Sequence, residues 1–146
     1  MAQDLKRNSF HQSGIIVRKM EYTETAHIST TPVDDGVKVT GSAVWGKVEF
    51  ETCELTMEAH GTAYYIEVVA TFEGSATNYA GVLTAMMGGH WVVRLTDMNG
   101  DRWLVGSEEE ALRFEWSQSR SSSHDTLTMT LKWRVEGRNP VRKIVD

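Results

Sequence analysis

The nine residues Leu127-Thr128-Met129-Thr130-Leu131-Lys132-Trp133-Arg134-Val135 are apolar at every odd position and polar at every even one. Successive side chains of a strand point to opposite sheet faces, so this alternation specifies a strand with one buried and one wet face. A helix would scatter the same residues around its circumference. Leu112-Arg113-Phe114-Glu115-Trp116 repeats the pattern over a shorter span. Upstream, residues 91–96 and 102–105 flank Asp97-Met98-Asn99-Gly100-Asp101, whose Asn-Gly step tolerates the positive φ that tight hairpin turns demand. The reading is a four-strand antiparallel meander between His90 and Val135.

The earlier half supplies more strands. Residues 14–22 form a first strand after a polar, aperiodic arm at residues 1–13. Residues 23–35, rich in Thr and Ser and closed by Asp34-Asp35-Gly36, read as a linker, a length often kept for interaction. A short strand follows at 37–40, then a loop around Trp45. Val48-Glu49-Phe50-Glu51 alternates, but Leu55, Met57 and Ala59 continue on the other parity. A one-residue slip would invert the face, so a β-bulge near Thr52 is expected. His60-Gly61-Thr62 turns the chain into a long strand whose one face is Tyr64, Ile66, Val68, Ala70 and Phe72. One helix is predicted, at about 75–88. Ser75 is its N-cap, Tyr79, Val82, Leu83 and Met86 make an apolar stripe, and Gly88-Gly89 stops it by the left-handed conformation. Strands, one helix and more strands imply a mainly β fold, an antiparallel β-sandwich or barrel with one packed α-helix. The domain spans 14–136, followed by a basic tail at 137–146.

At 146 residues the chain fits one domain, and 40% hydrophobic residues with two prolines argue against disorder. A net charge of −5 disfavours general affinity for DNA. The single Cys53 permits no internal disulfide, suits a reducing compartment and, lying within a strand, reads as a buried structural thiol. No apolar run of about 18 residues occurs to span a membrane. Residues 1–7 lack the apolar core of a signal peptide, so the chain is expected to start in the cytoplasm.

Candidate chemistry is sparse. With Asp97 as position 1 of a calcium loop, Asn99, Asp101 and Glu108 fall at positions 3, 5 and 12. Position 6 is Arg102 instead of Gly and the flanks are strands, so a hairpin turn is the preferred reading. Glu108-Glu109-Glu110 reads as a solvated connector. Glu49, Glu51, Glu54, Glu58, Glu67 and Glu73 punctuate the central strands and point to a negative sheet face, which matters if it lines a channel. The histidines (His11, His27, His60, His90, His124) share no metal-ligand spacing. Ser117 to Ser123 with His124 and Asp125 offers hydroxyls and a base. A serine-rich hairpin tip cannot hold a triad in attack geometry, though, and no Gly-x-Ser-x-Gly elbow occurs. No catalytic, cofactor-binding or metal-binding residue is assigned, and no enzymatic activity is expected. Arg138, Arg142 and Lys143 oppose an acidic body, so the C-terminal segment is either a solvated tail or a strand added to a neighbouring copy.

The order of elements, with the single helix mid-chain and a polar arm in front, resembles the tail-tube fold of phage tail proteins, baseplate-ring proteins and contractile injection systems. The stretch 90–116, centred on Arg94-Leu95-Thr96-Asp97-Met98-Asn99-Gly100-Asp101-Arg102-Trp103-Leu104-Val105-Gly106, also looks like segments of small prophage virion proteins. The resemblance is architectural, covers about 37–135, and brings no diagnostic motif. It implies a subunit that self-assembles into stacking hexameric rings or a tube, with arms and loops bridging copies. It also implies contacts with other tail proteins and a lumen passing DNA or effectors without specific binding. Its place would be the virion tail, assembled in the bacterial cytoplasm. The other reading from the residues is a β-sandwich binding module, with Trp45, Trp91, Trp103, Trp116 and Trp133 available to stack on a carbohydrate or a small apolar ligand.

Overall fold

The computed structural model describes residues 15–74, 79–120 and 127–146. In chain order the strands are β1 (Val17–Glu24), β2 (Ile28–Val33), β3 (Gly36–Gly41), β4 (Gly46–Val48), β5 (Thr52–His60) and β6 (Ala63–Glu73). After helix α1 (Ala80–Met86) come β7 (Trp91–Asp97), β8 (Arg102–Val105), β9 (Arg113–Arg120), β10 (Leu127–Gly137) and β11 (Arg142–Lys143). A 3-10 turn, Thr25–His27, joins β1 to β2.

The fold is mainly β and antiparallel, built in three layers. A five-stranded sheet in the order β11-β8-β7-β1-β4 lies between a four-stranded sheet, β5-β6-β10-β9, and the hairpin β2-β3. The two large sheets enclose the main core, in which Met20, Val93, Leu95 and Val105 meet Ile66, Val68, Met129, Leu131 and Trp133. On the other side of the central sheet, Val92 and Leu104 pack with Ile28, Val37 and Ile144 into a second, smaller core. Strand β7 therefore has both faces covered, which is why its sequence is an almost unbroken apolar run.

Strand β10 follows its alternation. Met129, Leu131 and Trp133 are buried, and the strand pairs in register with β6 from Thr128↔Glu73 to Gly137↔Tyr64. It also pairs with β9 from Leu127↔Arg120 to Arg134↔Arg113. The turn at 97–101 closes the β7-β8 hairpin, and Gly100 takes its positive φ of 87°.

Several expectations are corrected. The four strands after His90 are not one meander: β7-β8 belongs to the central sheet and β9-β10 to the outer one. Alternation reports which residues face a core but not which sheet a strand joins. The parity change near Thr52 is no bulge. After β4 the chain leaves the central sheet and re-enters the outer one as β5, so the two alternating runs face the same core from opposite sides. Residues 23–35 are no linker: Ile28 to Val33 pair with Val37 to Gly41 and with Gly36 in a regular hairpin. The basic tail is folded back, with β11 paired on β8 at the edge of its own sheet and Val141 and Ile144 buried. The helix is shorter than predicted and buries only Leu83 and Met86 of its stripe, while Tyr79 and Val82 stay exposed. Ser75 lies outside the described residues, as does the arm at 1–13. The stop is not a left-handed glycine. The Met86 carbonyl accepts the Gly89 N–H at 3.0 Å and the Trp91 indole N–H at 2.8 Å. A Cβ on Gly89 would sit 2.7 Å from that indole nitrogen, so close approach is what this glycine permits.

Candidate functional site

The outer sheet has one face on the main core, and among the described residues nothing packs across the other. Its register places the outward side chains in rows that cross all four strands. One row is Thr52, Thr71, Thr130 and Ser117, with the Thr52 and Thr71 hydroxyls hydrogen-bonded to each other. The next is Glu54, Val69, Lys132 and Glu115, and the third is Thr56, Glu67, Arg134 and Arg113. Hydroxyls thus occupy one end of the face and charges the other. Cross-strand and diagonal neighbours are close enough to interact; Arg134 stands directly opposite Arg113, and the opposite charges pair diagonally between rows. Lys132 lies 3.9 Å from Glu67, and Arg134 lies 3.3 Å from Glu115. At the rim, His60 sits between Glu58 at 3.3 Å and Glu136 at 3.7 Å and stacks on Tyr65. The Tyr65 hydroxyl donates to Glu67 at 2.7 Å, and that bond raises its pKa above the ordinary phenol value, since ionising would forfeit it.

The expected negative face is therefore mixed in charge. Glu54, Glu58, Glu67 and Glu73 do lie on it, joined by Glu115 and Glu136, but Lys132, Arg134 and Arg113 share the surface. Glu49 and Glu51 belong elsewhere, at the crossing between sheets, where they line a groove with Phe50 and Phe72.

The calcium-loop residues do not converge. Asp97 Oδ1 accepts the backbone N–H groups of Asn99 at 2.9 Å and Asp101 at 3.0 Å, and Oδ2 accepts the Trp103 indole N–H at 3.0 Å. These bonds, the Trp103 one foremost, hold its carboxyl below the usual aspartate pKa against the opposing effect of burial. Asp97 is the internal tie of the β7-β8 turn. Asp101 pairs with Lys143 at 3.4 Å, and Glu108 turns away to the hairpin, accepting the N–H and hydroxyl of Thr30. Burial pushes Glu108 upward, but the Thr30 bonds and nearby Arg142 outweigh it and leave its pKa lowered. Among the described residues, no three His, Cys, Asp or Glu side chains form a set able to hold a metal ion. His11, His124 and Asp125 lie outside the described residues, so the serine-rich tip cannot be placed. Ser117 and Ser119 stand on β9.

Cys53 faces the main core, half-buried, with its Sγ 3.9 Å from Met20 Sδ. Burial first, and Glu54 second, push its thiol up to about 12, so it stays protonated and inert near neutral pH. Trp91 and Trp133 are buried, and Trp45, Trp103 and Trp116 are half-buried against the body.

One constellation went unread in the sequence. Arg94, the polar residue inside the apolar run of β7, points toward the small core. It donates to both oxygens of Glu21, at 3.0 and 2.9 Å, while its guanidinium lies 4.2 Å from the centre of the Trp45 ring. A charged residue at an otherwise apolar strand position was the signal. Both carboxylate oxygens and the guanidinium face are taken, so the cluster is a structural tie instead of a binding site.

The edges of the outer sheet are the remaining feature. Among the described residues no strand pairs with the outer side of β5 or of β9, whereas the central sheet ends in strands of only three and two residues. Strand β5 leaves nine residues of edge. Comparison with models of known protein families, with curated proteins and with solved structures finds no match. Among the described residues no helix is long and apolar enough to cross a membrane.

Proposed function

We propose that this chain is a structural subunit that joins copies of itself, edge to edge through the outer sheet, into a ring or tube of a phage tail or related injection apparatus. The observation that carries the reading is the outer sheet itself: four long strands in unbroken register, a wet face of hydroxyls and paired charges, and a nine-residue edge at β5. An open strand edge is a template for pairing with another chain. Pairing β5 of one copy with the 113–117 stretch of β9 in the next is heterologous, and such contacts repeat until a rotation closes them into a ring. The hexamer is the ring size implied by the tail-tube resemblance.

In that ring the wet faces form the wall of a channel. Carboxylates outnumber cations on each face, so a nucleic-acid backbone passes without the phosphate neutralisation that would hold it. DNA or effectors are cargo on this reading, other tail proteins are neighbours, and no side chain acts as a catalyst. The place of work is the virion tail. Native mass spectrometry and negative-stain microscopy of the purified protein test the proposal. The expected result is closed rings with a central hole, alone or stacked. A strictly monomeric species at high concentration would overturn it.

A further inference from the structure

The β7-β8 turn carries the one Asn-Gly step in the chain. Asn8 precedes Ser9, Asn78 precedes Tyr79 and Asn139 precedes Pro140, whereas Asn99 precedes Gly100. A peptide nitrogen can attack the side-chain carbonyl of the asparagine before it, and glycine, with no Cβ, shields that nitrogen least. Proline has no N–H to give up. Asn99 and Gly100 are both exposed, and a Cβ added to Gly100 would meet nothing within 4 Å.

The fold restrains the reacting groups. The Gly100 N–H donates to the Asp97 carbonyl at 3.1 Å, and Gly100 takes the left-handed conformation, φ 87°, that closes a three-residue hairpin loop. The proton a base must remove is therefore already bound. On either side, Asp97 Oδ1 holds the Asn99 and Asp101 N–H groups at 2.9 and 3.0 Å, while Oδ2 is anchored by the Trp103 indole at 3.0 Å. The carboxylate thus fixes the backbone around Asn99 and sets a negative charge near a nitrogen that must become an anion to react. Asp97 is buried, so salt screens that charge poorly.

We propose that Asn99 is a self-modification site, converting with water to aspartate and isoaspartate, and that the Asp97 carboxylate sets the rate by holding the turn closed. The Gly100 nitrogen, its proton lost to a solvent base, forms a bond to Asn99 Cγ. The Cγ–Nδ2 bond breaks, the amide nitrogen takes up a proton and departs as ammonia, and a cyclic succinimide remains. Water then opens the ring. Opening at the side-chain carbonyl gives aspartate, and opening at the main-chain carbonyl gives isoaspartate, with the backbone rerouted through Cβ. Either product adds a carboxylate between Asp97 and Asp101, where Lys143, 3.4 Å from Asp101, is the cation at hand. Isoaspartate also lengthens the loop against the Asp97 N–H bond to the Asp101 carbonyl, 2.9 Å, that closes it. Strand β8 has only four residues and carries β11 on its other side, so these two strands loosen first. The change is one-way and does not depend on whether copies assemble.

The test is incubation of the full-length protein at mildly alkaline pH, with peptide mapping by mass spectrometry to read the replacement of NH2 by OH and chromatography to separate isoaspartate from aspartate. The expected product appears at Asn99 and not at Asn139, more slowly in the folded protein than in the chain unfolded in guanidinium chloride. Asp97→Ala should speed it about tenfold in the folded protein, the order expected when a turn loses one or two ordinary hydrogen bonds. Trp103→Phe, which frees only Oδ2, should give a smaller rise in the same direction and serves if Asp97→Ala fails to fold. Leu83→Ala weakens the main core and leaves the turn intact, so it should keep the wild-type rate. An unfolded chain with no Asn99 product, a folded one that reacts as fast as the unfolded, or no rise in the Asp97 and Trp103 variants would overturn the proposal. So would a Leu83→Ala protein that speeds up as much as Asp97→Ala, since the reaction then runs through unfolding of the whole domain. Isoaspartate-bearing protein, separated by ion exchange, should show quicker amide exchange in β8 and β11 with β6 and β10 unchanged; an unaltered β8 refutes the assigned consequence.

Discussion

The two sides of the central sheet are built differently. On the side of the outer sheet, aromatic and aliphatic side chains pack several deep: Phe114 lies 4.7 Å from Trp133 between ring centres, and Tyr22 edges onto Trp91. On the hairpin side, a handful of aliphatic residues are held with polar ties, the Arg94–Glu21 pair against Trp45 and Glu108 on Thr30. A thick apolar layer stabilises by area removed from water. A thin one removes less area, and its charged residues can be half-sunk only because they are paired. The hairpin side is therefore held by fewer and more directional interactions, each more dependent on its neighbour.

The largest expected effect belongs to the thick core. Trp133→Ala should cost about 3–5 kcal/mol and lower the single denaturant midpoint of the whole domain. Trp133→Phe should cost clearly less, because among the described residues the Trp133 indole N–H is the buried side-chain donor without a partner. Next comes the polar tie. Arg94→Ala leaves the buried Glu21 with only the longer Lys19 contact at 3.8 Å, for a loss of about 3 kcal/mol or somewhat less, whereas Arg94→Met with Glu21→Leu should lose less than Arg94→Ala alone. If the double variant is the worse of the two, the thin side depends on the charge pair as such.

Ile144→Ala, in the small core, should cost about 2 kcal/mol and act locally. Amide exchange should quicken in β2 and β3 while β6 and β10 remain protected. Uniform quickening would mean that the two cores unfold as one unit. The smallest effect concerns the turn at Asp97, whose pKa is lowered in the fold. The stability this carboxylate contributes is present above its unfolded value near 3.8 and is lost as pH falls through the lower folded value. Asp97→Ala should cost about 1.5–2 kcal/mol at neutral pH and flatten the acid limb of a stability-versus-pH curve.

The thick core was legible because both sheets bury one face, and a buried face writes itself as alternation. Strand β10, the long β6 and the turn before Arg102 could be read for that reason. The thin core was not legible in the same way. Ile28 and Val37 sit in segments rich in Thr, Pro and Gly, and Val92 and Leu104 occupy the parity that a two-layer sandwich would leave wet. A third layer reverses that assignment, and the Arg94 position among apolar neighbours was its one local trace. The same ambiguity hid the sheet change after Val48, since a bulge and a crossing produce an identical slip in parity. Of the candidate site, the hydroxyl and charged residues of the outer face could be found in the strands. Their grouping into rows depends on registers between segments far apart in the chain.

Those distant registers bear on how the chain reaches its fold. Strand β1 finds its partner β7 only after a loop from Glu24 to Trp91 has closed, while β5-β6, β7-β8 and β9-β10 can each form from neighbouring sequence. Closing long loops before any contact rewards them is slow, which places this chain among the millisecond-to-second folders. Until β1 docks, the ready-made hairpins wait with their apolar sides uncovered, and that interval is when they are most apt to find the wrong company.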